Sequence, residues 1–427
     1  MLCICLPLRN FVPSVYVFFI LDSSDSSAVA LNSSSKNKKH IHIFWRNTFH
    51  ALTALWFLLI HNIYLSPQGN RITHIRQYIQ QQKFNRKEQN IMNKNELLKL
   101  MEKVNDCHIA NNPDVGDCAW ERAAYFLGDM AAYEMTGKQE YLDYATEWAN
   151  KNGWAFFDDE KRQVTNADSV LCGETYLDLI DKYGVPGTDK NMLDSLEWTI
   201  NDPHNDYWWW VDTMYMALNM YSRIGVRQGD SRYFDKGYKL YYNSKVERRC
   251  YDADVHLWYR DERFLPENQR TASGGKIFWS RGNGWIFAGL SRTLGTIDET
   301  NPYYEEYKNT FCNMAEAIKK CQCGDGFWHT NLLEPEEFDM PETSGTVLFV
   351  LGYLQGIRLG ILPKDEYLGC AMKGFEALTN IALDESGFLG WVQVVAWGPG
   401  PVKKECTNDY AVGAYLQVLR ELIWMAE

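Results

Sequence analysis

Residues 120–148 read WERAAYFLGDMAAYEMTGKQEYLDYATEW, and this stretch decides the fold. Its apolar residues recur at intervals of three and four, at Trp120, Ala123, Ala124, Leu127, Met130 and Ala131, then at Tyr141, Tyr144, Ala145 and Trp148. That is the period of two amphipathic helices. The link Met135-Thr-Gly-Lys138 carries Gly137 where a helix commonly ends, so the segment predicts a helical hairpin.

The pattern returns along the chain, at 171–180 with 192–200, 214–221 with 233–242, 286–294 with 304–318, and 347–359 with 367–378. It ends at 410–425, and no alternating β-branched run interrupts it. First helices starting near Cys118, Asp168, Asp212, Asn283, Ser344 and Asp409 lie 50, 44, 71, 61 and 65 residues apart. A helix pair cannot bury its apolar face alone, so such units must stack. Variable intervals with long loops favour closure over an open solenoid. The expected architecture is all-α, an (α/α)6 barrel of six helical hairpins, with a helix over 95–104 completing the last pair.

The chain has 427 residues and a formal charge of -12. Residues 1–91 hold 10 Lys and Arg against 3 Asp and Glu, a charge of +7, which leaves 92–427 at -19 with 14 of the 16 Trp. Such an acidic body argues against nucleic-acid binding, which needs basic surface. Two apolar runs, Phe11 to Leu21 and Ala51 to Ile60, are about half the length of a membrane span, so no membrane partner is expected. Residues 1–91 are read as unstructured or absent from the native protein, with translation starting at Met92. Lys87-Glu88, whose codons can spell a ribosome-binding sequence, supports that start. Residues 92–427 form the catalytic domain.

Nine of the 11 Cys follow Met92, an odd number at irregular spacing, which reads as free thiols in a reducing cytosol. Cys321 and Cys323 form a C-x-C without a second pair, so no metal site is expected there. No cofactor motif is present, and nothing in the sequence sets the oligomeric state.

Polar and aromatic residues crowd at the start of each first helix. The clusters are Asn166-Ala-Asp168, Trp208-Trp209-Trp210-Val-Asp212, Trp279-Ser-Arg281-Gly-Asn283-Gly-Trp285, Glu342-Thr-Ser344 and Asn408-Asp409. Helix capping enriches Asp, Asn, Ser and Thr there but explains neither Trp nor Arg. In a ring of hairpins these ends share one face. Indole faces cover pyranose rings while carboxylates and amides bond hydroxyls, so the face suits a sugar, and the Arg281 fork suits a sugar acid. Asp212, between a Trp triplet and an apolar helix, should have a raised pKa fit for a general acid, with a plain cap as the other reading. Asp168 stands similarly. His256, in Asp254-Val-His256-Leu-Trp-Tyr-Arg-Asp261, lies on a polar loop of the same rim.

Phe278-Trp-Ser-Arg-Gly-Asn-Gly-Trp285 resembles the W-x-R-G-N-G-W motif of glycoside hydrolase family 105, the unsaturated rhamnogalacturonyl hydrolases, which are related to the unsaturated glucuronyl hydrolases of family 88. Trp208 to Met216, Leu257 to Glu262, Glu342 to Thr346 and Tyr410 to Ala414 support the match, which covers about residues 107–425. The resemblance implies a barrel that releases a terminal 4,5-unsaturated uronic acid from lyase-generated oligosaccharides by hydrating an enol ether. It implies Asp212 as acid/base, Asp168 as a second catalytic residue, and His256, Trp279 and Arg281 as substrate-binding residues; Trp209, Trp210, Asn283, Trp285 and Ser344, on the same face, are expected to bind substrate too. Galacturonyl-rhamnose is the expected fragment. A glucuronate-containing fragment, a saturated uronide and a non-catalytic glycan-binding barrel are the alternatives.

Overall fold

The computed structural model describes residues 92–426 and four strands within the first 91 residues. Contacts divide the chain into two units, Met1–Ile91 and Met92–Glu427. In the first unit, β1 (Leu2–Pro7), β2 (Tyr16–Leu21), β3 (Ser27–Asn32) and β4 (Ile41–Phe44) pair antiparallel in sequential order. Leu2 is opposite Leu21, Val17 opposite Asn32 and Ser27 opposite Phe44. The sequence predicts no fold here, whereas Tyr16–Leu21, six residues rich in aromatic and β-branched side chains within the first apolar run, carry a strand signature as well. The second apolar run and Lys87-Glu88 lie outside the described residues.

The second unit is helical, with twelve helices among the described residues. These are α1 (Lys94–Asn111), α2 (Trp120–Thr136), α3 (Gln139–Lys151), α4 (Cys172–Leu177, continued by a π turn Asp178–Lys182) and α5 (Lys190–Asn201). Next come α6 (a π turn Met214–Leu218 leading into Asn219–Gln228), α7 (Ser231–Tyr242), α8 (Ser280–Leu294) and α9 (Tyr304–Lys320). The last are α10 (Thr343–Arg358), α11 (Lys364–Ala377) and α12 (Asp409–Met425). Between α7 and α8, β5 (Tyr251–Asp252) and β6 (Leu257–Trp258) form a short hairpin.

Even-numbered helices form an inner ring, each packed on the next, and α12 closes on α2. Odd-numbered helices pack outside them. The sixth hairpin is completed by α1, which packs on both α12 and α2 and runs further than the expected 95–104. Burial follows from this layering. All but one residue of α8 is buried, because an inner helix meets neighbours on every side, whereas α7 buries one stripe of Tyr233, Lys236, Gly237, Leu240 and Tyr241.

Closure requires backbones to touch. A Cβ on Gly413 of α12 would lie 2.2 Å from the Ala124 carbonyl oxygen, and one on Gly128 of α2 would lie 2.3 Å from the Gly413 oxygen. Only hydrogen fits at that seam.

Candidate active site

The inner helices bring their N-terminal ends, and the polar clusters before them, to one face of the ring. Of the six, only α10 begins with a side-chain cap, Glu342, whose carboxylate accepts from the Ser344 and Gly345 N–H groups. Neither Asp212 nor Asp168 serves as a cap. The plain capping explanation therefore holds at Glu342 and fails at the two aspartates.

Asp212 lies two residues after the Trp triplet and two before the π turn of α6, where its carbonyl accepts from Tyr215 and Met216 N–H at 3.0 and 3.3 Å. Val211 N–H donates to the Arg260 carbonyl at 3.0 Å, fastening this segment to the chain leaving β6. The Asp212 side chain is buried, and its Oδ2 has no hydrogen-bond partner. Arg260 Nε, also buried and unpartnered, lies 3.3 Å away. Burial raises the Asp212 pKa, and the Arg260 charge opposes that shift.

Asp168 projects from a 3-10 turn, Ala167–Ser169, whose cap is Asn166. Burial, then the negative charge of Asp212, pushes its pKa up to about 7, against the pull of Arg260 and a hydrogen bond with Trp210. Two carboxyl groups thus stand close enough for the charge of one to raise the pKa of the other, and both are shifted upward. Raised carboxyl groups of this kind are what general acid catalysis needs.

Arg260 donates Nη1–H to Asp261 Oδ2 at 2.7 Å, and Arg263 donates to both oxygens of Asp261 at 2.8 and 2.9 Å. Both guanidinium groups stand by the Trp209 ring, 5.5 and 5.7 Å from its centroid, and Arg263 is 5.1 Å from the Trp397 ring. Trp209 and Trp397 are 43% and 63% exposed, so two indole faces border the rim. Trp210 packs 4.8 Å from Trp209 and is buried. Sequence reasoning missed Arg260, Arg263 and Trp397. The Arg-Asp dipeptide that follows an aromatic strand, within a motif already noted, was the available signal for Arg260.

Arg281 is placed differently from its expected role. It is 1% exposed and donates to Ser344 Oγ at 3.2 Å and to the carbonyls of Gln393 and Val394 at 2.6 and 2.9 Å. Its guanidinium is stacked between Trp279 and Tyr410, 4.4 and 5.1 Å from their centroids. Trp279 Nε1–H donates to Gln393 Oε1 at 2.7 Å, and Tyr410 Oη–H to the Gln393 carbonyl at 2.6 Å. Glu342 Oε1 accepts from Ser344 Oγ–H and from Gln393 N–H at 2.5 and 3.3 Å. Arg281, Trp279 and Ser344 therefore grip the segment at 393–394, next to Trp397. The Arg281 charge is also felt by Asp212.

Asn283 has every polar atom engaged, with Nδ2 donating to the carbonyls of Trp258 and Trp279 at 3.0 Å and Oδ1 accepting from Trp258 N–H at 2.8 Å. It joins β6 to α8. Trp285 is buried against Trp120, Tyr215 and Tyr410 inside the ring. His256 has φ +56° and places Nδ1 2.8 Å from Tyr251 Oη, so its contact is with the β5 strand rather than the Asp212 cluster.

A closed helical ring whose mouth combines coupled carboxyl groups, guanidinium groups and exposed indoles defines a carbohydrate-active barrel enzyme. The chain belongs to glycosyl hydrolase family 88, whose family model matches residues 81–426, and it is a glycoside hydrolase. It is 28% identical over 330 residues to an unsaturated 3S-rhamnoglycuronyl hydrolase of Formosa agariphila, covering 72% of this chain and 85% of that one. It is 24% identical to the unsaturated rhamnogalacturonyl hydrolase YesR of Bacillus subtilis, covering 66% of this chain and 86% of that one. A solved family 88 structure from Bacteroides vulgatus superposes with a TM-score of 0.72 at 30% identity, covering 78% of this chain and 99% of that one.

Proposed function

We propose that the protein removes a terminal 4,5-unsaturated uronic acid linked to rhamnose from lyase-generated oligosaccharides. The observation that carries this is Asp212, buried, raised in pKa and left with a bare Oδ2 opposite Arg260. Both relatives described above have rhamnose in their names.

Asp212 donates its proton to C4 of the enol ether, and the cation formed at C5 is stabilised by the ring oxygen. Water adds at C5 and returns its proton to the Asp212 carboxylate. The hemiketal then opens by breaking the bond from C5 to the ring oxygen. That leaves a hemiacetal at C1, which collapses and expels the neighbouring sugar as an alcohol. One carboxyl group acts as acid and then as base, so no second carboxylate is needed at a fixed distance across the glycosidic bond.

Arg260 has its Nε free of hydrogen bonds beside Asp212, which suits it to the uronate carboxylate, a role the sequence assigned to Arg281. Asp168, with its pKa pushed up to about 7, is about half protonated at neutrality and serves the sugar hydroxyls beside it. The exposed faces of Trp209 and Trp397 receive the sugar after the uronate.

Unsaturation erases the C4 and C5 stereocentres that separate galacturonate, glucuronate and iduronate. The enzyme therefore discriminates by linkage and by the next sugar rather than by epimer. Nine free thiols among the described residues fit a reducing cytosol, where short lyase products would be consumed.

The test is loss of the conjugated double bond's ultraviolet absorbance with unsaturated disaccharides from rhamnogalacturonan, ulvan and glycosaminoglycan lyases. Turnover of the rhamnose-containing fragments is expected. Cleavage of a saturated uronide with no loss of absorbance from any unsaturated substrate would overturn the reading.

A further inference from the structure

We propose that the turn after α9 is a binding site for a thiophilic divalent cation, of the zinc or cobalt type, formed by Cys323, Asp325 and His329. One atom from each, a thiol sulfur, a carboxylate oxygen and an imidazole nitrogen, come within 4.8 Å of one another. The site shares no residue with the Asp212 cluster and does not depend on the proposed substrate.

The turn is built to hold these groups. Cys323 N–H donates to the Phe327 carbonyl at 2.9 Å and Gly326 N–H to the Cys323 carbonyl at 3.1 Å, closing a tight loop. Gly326 has φ +96°, and a Cβ there would lie 2.8 Å from the Lys373 carbonyl oxygen. Lys373 Nζ donates to the Cys323 carbonyl at 2.8 Å, which pins the loop to α11. On the far side, the Trp328 indole donates to the Ile318 carbonyl at 2.7 Å and is fully buried. The three groups therefore hang from a fixed backbone.

Their orientation matches what a bound cation requires. His329 Nδ1 lies 3.3 Å from the Pro335 carbonyl oxygen, which can only accept, so Nδ1 carries the proton in that contact. This turns Nε2 toward Asp325 Oδ2 at 3.1 Å, where without a cation Nε2 also carries a proton and pairs with the carboxylate, and a bound cation would take the place of that proton. Metal-ligating histidines characteristically donate their other ring N–H to a carbonyl or carboxylate in this way. Asp325 is oriented too, since its Oδ1 accepts from Phe327 N–H at 3.0 Å and leaves Oδ2 for His329. Tetrahedral zinc with bonds of about 2.0–2.3 Å separates its ligand atoms by about 3.3–3.8 Å, so a small inward movement of Cys323 completes three corners and water supplies the fourth. A thiolate with nitrogen and oxygen selects zinc or cobalt over magnesium or calcium. The C-x-C pair at 321 and 323 is not the motif. Only Cys323 takes part, and its partners come from the residues that follow it.

The experiment uses the full chain, stripped with a chelator, dialysed and titrated with Co2+ alone. One equivalent is expected to produce a thiolate-to-cobalt charge-transfer band with tetrahedral d–d bands, which Zn2+ then displaces. Cys323→Ser should abolish the charge-transfer band, Cys321→Ser should keep it, and Asp325→Asn, at an exposed position, should weaken Co2+ binding at least about tenfold. Zn2+ should raise the Tm of the unaltered chain and not that of Cys323→Ser. Absence of a charge-transfer band in the unaltered chain, or its persistence in Cys323→Ser, would overturn the proposal.

Discussion

Asp212 Oδ2 and Arg260 Nε face each other at 3.3 Å, both buried and neither engaged in a hydrogen bond. The pair is close enough for charge attraction. Replacing Asp212 by Asn removes the proton donor while preserving shape, so kcat should fall at least about a hundredfold with little change in Tm. Steady-state kinetics and thermal unfolding on the same preparation check both expectations.

The two arginines should separate by their readouts. Arg260→Ala removes the proposed carboxylate partner, so KM should rise strongly while the fold persists. Arg281→Ala removes a buried guanidinium that bonds Ser344 and the Gln393 and Val394 carbonyls and stacks between Trp279 and Tyr410, so it should lower Tm as well as activity. A Tm unchanged by Arg281→Ala would contradict its role as a structural clamp.

Activity should depend on pH with a definite sign. An acid catalyst works while protonated, and burial raises the Asp212 pKa, so kcat/KM should fall as pH rises beyond it, with the Asp168 carboxylate, titrating at about 7, holding that proton on to higher pH. Asp168→Asn removes a neighbouring negative charge and should move the alkaline limb to lower pH. A pH–rate profile flat from weakly acidic to weakly alkaline conditions would count against the coupled pair.

Asp129 gives a stability prediction independent of catalysis. It is fully buried on α2, bonded to Asn105 Nδ2 at 2.8 Å, and burial pushes its pKa up to about 8. The folded state therefore holds a proton that the unfolded state releases above its ordinary value near 4. Its stabilising share is complete below that lower value and is lost as pH rises through about 8. Asp129→Asn should flatten this dependence and raise Tm at pH 8 by a few degrees relative to the parent, as read by thermal unfolding across pH.

The seam between α2 and α12 should tolerate nothing larger than glycine. Gly413→Ala forces a methyl against the Ala124 carbonyl and should destabilise by about 1–3 kcal/mol, measured by denaturant unfolding.

Periodicity alone revealed the helices, because an amphipathic pair has to be written into the chain at intervals of three and four, as at Trp120 to Trp148. It also placed Asp168, Asp212 and the tryptophans at helix starts, and hence on one face once the ring closed. Arg260 was not legible as a site residue. Its neighbours in sequence form a strand edge, and only the Val211 to Arg260 backbone bond brings it to Asp212. Arg281, Asn283 and Ser344 were legible as special but not as to their work, since a polar side chain in a motif reads the same whether it faces a ligand or a buried carbonyl.

What the sequence determined by itself was the all-α barrel, the acidic body and the placing of Asp212 at a helix start beside the Trp triplet, because helical period, charge and chain order are local properties. Only the tertiary structure decided which guanidinium stands beside Asp212 and which is spent on the loop at 393–394. It also decided that Asp325 and His329, rather than Cys321, stand with Cys323. Those choices depend on which buried donors and acceptors find partners across the fold, and partners distant in sequence exist only once the ring has closed.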